Sequence, residues 1–361
     1  MTPEDRAWEV VRRAYEERPP TAPRRARSRL VPAAAVAAAA VLVGAALSPS
    51  GRAVFRQVRE AVGVEHAAPA LFSLPGSGRL LVVSDGRVFV VQPNGLKRNL
   101  GDYSDAQWSP HGLYVVATTP TELAALTPTG QLRWSLARRH PRAPRWEGTL
   151  TDTRIAYDTP GGLRVVGGDG TGDHLLDRRG GAVPAAWDPA RLHTLAYVAD
   201  GAVVLRHDDG PLVWRRRVWV APTALEWSGD GRYLAVVSRG AIVVLDGNGR
   251  ERRTISMLGA RFLPGSFAPR SHRLAVRVRS GGRSEVYVVD VDRPGHGRLV
   301  LAGPGSFGDV AWSPDGRWLV VEWPAADQWV FLHGSAAHAV ANIRSQFAGS
   351  AEIGGRWCCP G

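Results

Sequence analysis

The residues with the clearest potential for recognition lie in segment 322–329, where two tryptophans flank a proline and an aspartate. Trp323 offers an aromatic surface on which a ligand could stack, and Asp327 offers a carboxylate beside it. The alternative is that both Trp323 and Trp329 cover the seam between the last and the first structural unit, since buried aromatic residues are common at such contacts. We therefore treat Trp323 and Asp327 as candidate ligand- or partner-binding residues.

A second candidate is the arginine-rich stretch 138–145. Guanidinium groups pair well with carboxylates and phosphates, so Arg138, Arg139 and Arg142 could contact an acidic partner. A solvated loop is the alternative explanation for the same composition.

Signatures of the common enzyme classes are missing from the sequence. It contains no G-x-S-x-G and no His-Glu-x-x-His, and its ten histidines are spread singly. The glycine-rich stretches 167–172 and 246–249 resemble phosphate and calcium loops only faintly, so we interpret both as turns. We interpret His193 and His272 as surface or internally bonded residues. No catalytic residue, cofactor or metal is predicted.

The only two cysteines, Cys358 and Cys359, are adjacent and close to the C-terminus. In an oxidising compartment they could form a vicinal disulfide, pair with another chain or stay reduced. Adjacent cysteines lack the spacing of a metal site.

These candidates lie within a repeated sequence. Trp312-Ser313-Pro314-Asp315-Gly316-Arg317 has a near copy at 227–232 and partial copies at 108–112, 187–189 and 267–270, each followed by a short apolar run. Self-similarity at a period of 20–50 residues indicates a repeat architecture.

The spacing of these phrases predicts seven units of about 40 residues. The units are anchored at Phe72, Trp108, Trp146, Trp187, Trp227, Phe267 and Trp312. Phe72 and Trp146 are assigned mainly from spacing, so six or eight units remain open. Each unit contains four strand-like runs separated by turns, which is typical of a propeller blade. The predicted fold class is therefore all-β: a β-propeller of seven four-stranded blades preceded by one N-terminal transmembrane helix.

The net charge of +12 suggests an anionic partner, but its distribution argues against nucleic acid. Lys97 is the only lysine, and the arginines are scattered over all units instead of forming one basic patch with aromatic residues. We therefore interpret the basic surface as diffuse and solvated.

Residues 30–47 predict a membrane anchor, because this stretch has neither a charge nor a hydrogen-bonding side chain. As a helix it would be about 27 Å long, close to the thickness of the hydrocarbon core. A cleaved signal peptide is the alternative, although the polar segment before it is long for one. Residues 12–29 contain seven arginines, whereas the comparable window after the apolar stretch contains three, Arg52, Arg56 and Arg59. Because positive charge is retained on the cytoplasmic side, the N-terminus is predicted to be cytoplasmic and the propeller extracytoplasmic.

The repeated phrase resembles the TolB-like and WD-repeat-like propellers of bacteria over about residues 70–335. The Trp134 and Trp214 regions also resemble pyrroloquinoline-quinone-type propeller repeats. The resemblance implies a binding platform and no particular chemistry.

The sequence thus predicts five segments: a cytoplasmic tail with a short amphipathic helix (1–29), a signal anchor (30–48), a stalk (49–66), the propeller (67–345) and a C-terminal tail (346–361). The predicted function is noncatalytic binding of a protein or envelope component through loops at one mouth of the propeller. Two alternatives remain open, a transmembrane sensor with a cytoplasmic partner and a propeller enzyme (hydrolase, lyase or quinoprotein). The sequence predicts no oligomeric state.

Overall fold

A computed structural model describes residues 70, 73–295, 297–353 and 357–359 of the chain. These residues form seven antiparallel sheets of four strands each. Blade 1 contains β1 (Leu80–Ser84), β2 (Arg87–Val91), β3 (Lys97–Gly101) and the C-terminal strand β28 (Ala351–Glu352). Blade 2 contains β4 (Asp105–Trp108), β5 (Val115–Thr118), β6 (Glu122–Leu126) and β7 (Leu132–Ala137). Blade 3 contains β8 (Arg142–Gly148), β9 (Thr153–Thr159), β10 (Gly162–Gly167) and β11 (His174–Asp177).

The remaining blades follow the same order. Blade 4 contains β12 (Ala186–Trp187), β13 (Thr194–Ala199), β14 (Ala202–His207) and β15 (Leu212–Arg217). Blade 5 contains β16 (Pro222–Trp227), β17 (Tyr233–Ser238), β18 (Ala241–Asp246) and β19 (Glu251–Ser256). Blade 6 contains β20 (Arg261–Phe267), β21 (Arg273–Ser280), β22 (Arg283–Asp290) and β23 (Arg298–Pro304). Blade 7 contains β24 (Val310–Trp312), β25 (Leu319–Trp323), β26 (Gln328–His333) and β27 (Ala336–Ala341), and a short helix α1 (Ile343–Phe347) follows it.

The seven sheets surround a central channel of about 580 Å³, so the predicted seven-bladed propeller is confirmed. The first strand of blades 2 to 7 lines the channel, as Gln107 and Arg145 do in blades 2 and 3, and in blade 1 the C-terminal segment takes this place with Ile353 and Trp357. The fourth strand is outermost, and in β7 and β15 it is largely exposed to solvent. In blade 5, for example, the second and third strands are almost fully buried because neighbouring blades cover both of their faces.

Three of the repeated tryptophans tie the innermost strand of their blade to the blade before it. The indole N–H of Trp187 donates to the carbonyl of Arg145 at 2.8 Å. Trp227 donates to Ala186 in the same way, and Trp312 donates to Ser266 at 3.0 Å. Each acceptor stands one residue before the anchor of the preceding blade. The spacing of these anchors therefore reflects an equivalent contact in blades 4, 5 and 7, whereas the indole N–H groups of Trp108 and Trp146 have no hydrogen-bond partner among the described residues. The anchor Phe72 lies outside the described residues.

The Ser-Pro-Asp-Gly part of the phrase builds the turn after the innermost strand. The hydroxyl of Ser313 donates to Asp315 and accepts the backbone N–H of Trp318 at 2.9 Å. Asp315 also accepts the backbone N–H of Arg317 at 3.0 Å. Gly316 has a φ of +68°, a conformation that favours glycine. These side chains are engaged within the turn, which explains their repetition without a ligand.

Hydrophobic clusters fill the seams between adjacent blades. In the seam between blades 4 and 5, for example, Val203 and Leu205 pack with Val243 and Leu245. The seam between blades 7 and 1 has the larger aromatic side chains Trp329, Phe331 and Phe347. The core of this protein is therefore a ring of inter-blade layers, each made by two consecutive repeats.

The C-terminal segment closes the ring, which differs from the predicted tail at 346–361. Strand β28 pairs with β1 and is the innermost strand of blade 1. Farther along, Arg79 and Cys358 exchange two backbone hydrogen bonds at 2.8 and 2.9 Å, and Trp357 is buried. The first blade thus combines three strands from one end of the repeat region with one from the other.

The predicted membrane segment 30–47, together with the tail 1–29 and the stalk 49–66, lies outside the described residues. Within the part of the chain that is described, no helix is long and apolar enough to cross a bilayer.

Candidate functional site

The candidate binding residues all lie at one end of the propeller. Antiparallel strands alternate in direction, so the turn between the second and third strands of a blade lies at the same end as the connection to the next blade. We call this end the loop face; it includes 138–141 and 324–327. The opposite end, which carries the Ser-Pro-Asp-Gly turns, is the turn face. The two stretches singled out in the sequence therefore share a face, but they belong to blades 2 and 7, with blade 1 between them.

Trp323 is buried and offers no stacking surface to a ligand. It is 1% exposed, its indole N–H donates to the carbonyl of Pro304 at 3.0 Å, and Phe307 meets its ring edge-on at 5.4 Å. Trp329 is also 1% exposed and packs on Phe347. Trp329 fills the seam between blades 7 and 1, as the alternative interpretation predicted, whereas Trp323 fills the seam between blades 6 and 7.

Asp327 supports the helix that follows blade 7. The residue has left-handed backbone geometry, with a φ of +55°. Its carboxylate accepts the backbone N–H of Arg344 at 2.8 Å, and its carbonyl accepts that of Ile343. A carboxylate near the N-terminus of a helix is favourable electrostatically. Asp327 therefore holds α1 in place and does not lie beside an exposed aromatic ring.

Arg138 is engaged in the seam between blades 2 and 3. It pairs with Asp173, which also receives Arg164 and the hydroxyl of Tyr157. Burial and the hydrogen bond to Asp173 raise the pKa of Tyr157 to about 12. The guanidinium of Arg138 is therefore already paired within the fold.

Arg139 and Arg142 are exposed, but they do not converge with Arg138 on one site. Arg142 begins β8 and donates to the carbonyl of Gly181 at 3.4 Å. A bulge follows it, in which Ala143 has a φ of +49° and donates its N–H to Asp105 at 2.9 Å. A left-handed alanine is uncommon, and the bulge displaces β8 from regular pairing with β9 at this point.

Buried carboxylates lie near the channel, below the loop face. Asp158 is 2% exposed, and its Oδ1 has no hydrogen-bond partner among the described residues. Burial raises the pKa of Asp158 to about 7, although Arg142 and Arg145 oppose the shift. Burial also raises the pKa of Asp105. These groups belong to the inner packing of blades 2 and 3 and are covered by the chain.

Glu322 joins blade 7 to the closing segment. Its two carboxylate oxygens accept the backbone N–H groups of Asp309 and Ile353. Burial, with Asp309 close by, raises the pKa of Glu322. Arg277 of blade 6 pairs with Asp309 at 2.8 Å and so connects the same network to a third blade.

Trp219 and Leu258 are the exposed apolar residues on the loop face that sequence reasoning missed. Trp219 is 66% exposed in the connection between blades 4 and 5, and Leu258 is fully exposed in the connection between blades 5 and 6. Val218 and Val220, on either side of Trp219, pack into the seam core. Their position in the sequence could have identified them, because both residues lie in connections between the outermost strand of one blade and the innermost strand of the next.

The two glycine-rich stretches are turns on which tryptophans from the preceding blades dock. Trp134 donates to the carbonyl of Gly168 at 2.9 Å, and Trp214 donates to that of Gly247 at 3.0 Å. A side chain at Gly170 would lie 2.8 Å from the ring of Trp134, so the glycine permits close approach. The described residues offer no helix N-terminus here for a phosphate.

His193 and His272 form bridges between blades on the turn face. His193 bonds Glu147 at 2.6 Å and Asp152 at 2.9 Å, both from blade 3. His272 bonds Asp230 of blade 5 at 2.9 Å and Asp292 at 2.5 Å. Each histidine thus has two carboxylate partners within the fold.

These bridges predict a pH dependence of stability. Burial disfavours protonation, but the carboxylates outweigh it and raise the pKa of both histidines. Burial of Asp230 is outweighed by His272 and Ser228, which lower its pKa to about 2. The contribution of His272 to the free energy of unfolding should be present below about pH 6.5 and disappear as the pH rises through the raised histidine pKa. The contribution of Asp230 should be present above about pH 4 and disappear as the pH falls toward 2.

Urea unfolding at pH 5 to 8 checks this expectation. The midpoint of wild-type protein should fall between pH 6 and 8, and the fall should be smaller for His272→Gln. The His111→Gln variant, which replaces an exposed histidine, provides the control, and its urea midpoint should change with pH as that of the wild type does. An equal change of the urea midpoint with pH in all three proteins would show that the contact of His272 with Asp230 and Asp292 does not stabilise the fold.

Cys358 and Cys359 form a vicinal disulfide in the structure. A disulfide between neighbours closes almost no loop and removes little entropy from the unfolded chain. We therefore expect the Cys358→Ser/Cys359→Ser variant to lose less than about 1 kcal/mol of unfolding free energy, since the backbone pairing with Arg79 persists. Thermal unfolding with and without reductant measures this. If the variant loses as much unfolding free energy as a protein without the closing strand β28, the disulfide bond and not the backbone pairing closes the ring.

One cluster among the described residues has potential metal ligands at suitable distances: His207, Asp208 and Asp209. Its groups already bond one another, with His207 Nδ1 at 2.7 Å from Asp209. Arg154 pairs with buried Asp208 at 3.2 Å. A cation at this position would have to compete with the guanidinium.

Comparison with known proteins identifies the fold. No family model and no curated protein matches the sequence. Among solved structures, Hsv2 of Kluyveromyces marxianus aligns with a TM-score of 0.53 at 12% identity, covering 70% of this chain and 88% of Hsv2. The C-terminal WD40 domain of Sif2 aligns at 0.54 and 11% identity, covering 76% and 88%. Hsv2p of Kluyveromyces lactis aligns at 0.53 and 13%, covering 76% and 96%. The chain is similar to WD40 propellers in fold; the TolB-like resemblance stays a prediction.

Proposed function

We propose that this chain is a membrane-anchored, extracytoplasmic β-propeller that binds a protein or envelope component through its loop face and catalyses no reaction. The observation that carries the proposal is the exposure of Trp219 and Leu258 there, each on a short connection fixed by a rigid blade. Exposed aromatic residues on rigid scaffolds are typical of binding surfaces. Two of the binding residues predicted from the sequence, Trp323 and Arg138, are instead engaged in seams.

Site-specific cross-linking in native membranes tests the binding surface. A photoreactive amino acid at position 219 should give a discrete adduct. The same group at Leu150, which is 69% exposed on the turn face, should give none. Equal adduct patterns from both positions would reject the loop face as the binding surface.

Membrane anchoring rests on residues 30–47, which supply an uncharged segment long enough for a bilayer. The excess of arginine before it supports an external propeller. Alkaline phosphatase fused after residue 70 should be active, whereas a fusion after residue 20 should be inactive. Activity in the reverse pattern would overturn the orientation.

A sensor is the second candidate, because Trp8, Val11 and Tyr15 recur at helical spacing in the N-terminal segment. Deleting residues 2–20 separates the two functions. A binding module should keep its cross-linked adduct and its cellular phenotype, whereas a sensor should keep the adduct and lose the phenotype.

A further inference from the structure

The loop face carries an apolar and basic surface across blades 4 to 6. Trp219 and Leu258 project from adjoining connections. Leu258 lies in a turn in which the backbone N–H of Ala260 donates to Met257 at 3.2 Å, and Gly259 is left-handed with a φ of +70°. Its side chain is held outward by the backbone.

The connections are fixed beneath their exposed tips. Met257 and Ala260 pack against the seam core of blades 5 and 6. The backbone N–H of Phe262 donates to the carbonyl of Arg239 at 2.9 Å, which joins the second connection to the central turn of blade 5. A partner would therefore meet a preformed surface, with little ordering of the protein to offset its affinity.

Arginines surround the two apolar residues. Exposed guanidinium side chains come from the strand before Trp219, the turn of blade 5, the strand after Leu258 and the end of β21: Arg217, Arg239, Arg261 and Arg279. Nearby Asp200 already pairs with Arg179 at 2.7 Å and Arg215 at 3.3 Å. Glu285 accepts the hydroxyl of Tyr287 at 2.7 Å. The surface is therefore strongly positive.

We propose that this surface, made of Trp219, Leu258 and the four arginines Arg217, Arg239, Arg261 and Arg279, binds an acidic protein segment that carries large apolar side chains. This inference rests on the proposed binding function and specifies the chemistry of the partner. Trp219 and Leu258 contact the apolar side chains, and the arginines pair with the carboxylates.

A protein partner is favoured over a bilayer by the direction of the chain. Arg79, just before the first strand, donates to the carbonyl of Gly112 in a turn on the turn face. The described N-terminal end of the propeller is therefore at the opposite end from Trp219 and Leu258. The loop face is thus the end farther from the point at which the described chain enters the propeller.

Fluorescence anisotropy with the full-length chain tests the proposal. The probe is a labelled 12-residue peptide of alternating glutamate and leucine. Control peptides carry lysine for glutamate or serine for leucine. The acidic apolar peptide should bind saturably, and the affinity should fall at least about tenfold for Trp219→Ser, for Leu258→Ser and for the double variant Arg217→Ser/Arg239→Ser. Leu150→Ser and Arg133→Ser on other exposed positions should bind as wild type.

Several results would overturn it. The proposal is wrong if the acidic apolar peptide does not bind saturably, if the control peptides bind equally well, or if the loop-face variants keep wild-type affinity. Binding to phosphatidylglycerol vesicles is measured with the same variants. If the substitutions weaken vesicle binding more than peptide binding, the surface binds a membrane instead of a protein. If the peptide fails while the cross-link from position 219 persists, the partner has a different chemistry and the binding function stands. If both fail, both proposals are wrong.

Discussion

A chain ending at residue 350 is expected to lose the cooperative unfolding of the propeller. The truncation removes β28, which pairs Glu352 and Ala351 with Val83 and Ser84 of β1. It also removes Ile353 and Trp357, both 3% exposed. Deleting one buried tryptophan typically costs about 3–5 kcal/mol. Because a whole domain is stable by only about 5–15 kcal/mol, the combined loss should approach the total.

Urea unfolding followed by circular dichroism, together with size-exclusion chromatography, measures this loss. The truncated protein should show a broad transition at low urea and association through the uncovered edge of β1. A chain ending at residue 359 is the matched control and should unfold as the full-length protein does. A sharp transition at the full-length midpoint in the shorter chain would mean that the ring closes without its C-terminal strand.

Trp323→Ala is expected to destabilise the protein by about 3–5 kcal/mol. The substitution leaves a cavity between blades 6 and 7 and removes the hydrogen bond to Pro304. Gly303 lies against the ring face, with no side chain that could fill the space. The surrounding backbone is held by strand pairing, so the cavity should persist.

Trp219→Ala is the matched control, because it removes the same side chain from a position that is 66% exposed. It should change the unfolding free energy by no more than about 0.5 kcal/mol. Chemical denaturation of the two variants beside the wild type measures the difference. Equal midpoints for Trp323→Ala and the wild type would show that the ring of Trp323 does not stabilise the seam.

The spacing of the anchors predicted the blade number because it records a physical contact. Trp187, Trp227 and Trp312 each bond the preceding blade, so they are separated by whole blades: 40 residues for one blade and 85 residues for two. The closing strand gave no such signal, since β28 has only two residues and carries no anchor. Its pairing with β1 joins positions nearly 270 residues apart, and no local pattern encodes such a contact.

Exposure was the property that the sequence could not supply. Trp323 and Trp219 are both tryptophans at the loop face, yet one is buried and the other is not. Arg138 was identified as a contact for acidic groups, and its acidic contact is Asp173 of the next blade, 35 residues away. The chemistry of the arginine was predictable, but the location of its partner depends on how two repeats pack.

The seams of blades 2 to 6 are of two kinds, and they alternate. Tryptophans on outer strands clasp the seams between blades 2 and 3 and between blades 4 and 5. Histidine–carboxylate bridges hold the seams between blades 3 and 4 and between blades 5 and 6. Trp134 and Trp214 are 80 residues apart, and His193 and His272 are 79 apart. The unit that repeats through this part of the ring is thus a pair of blades.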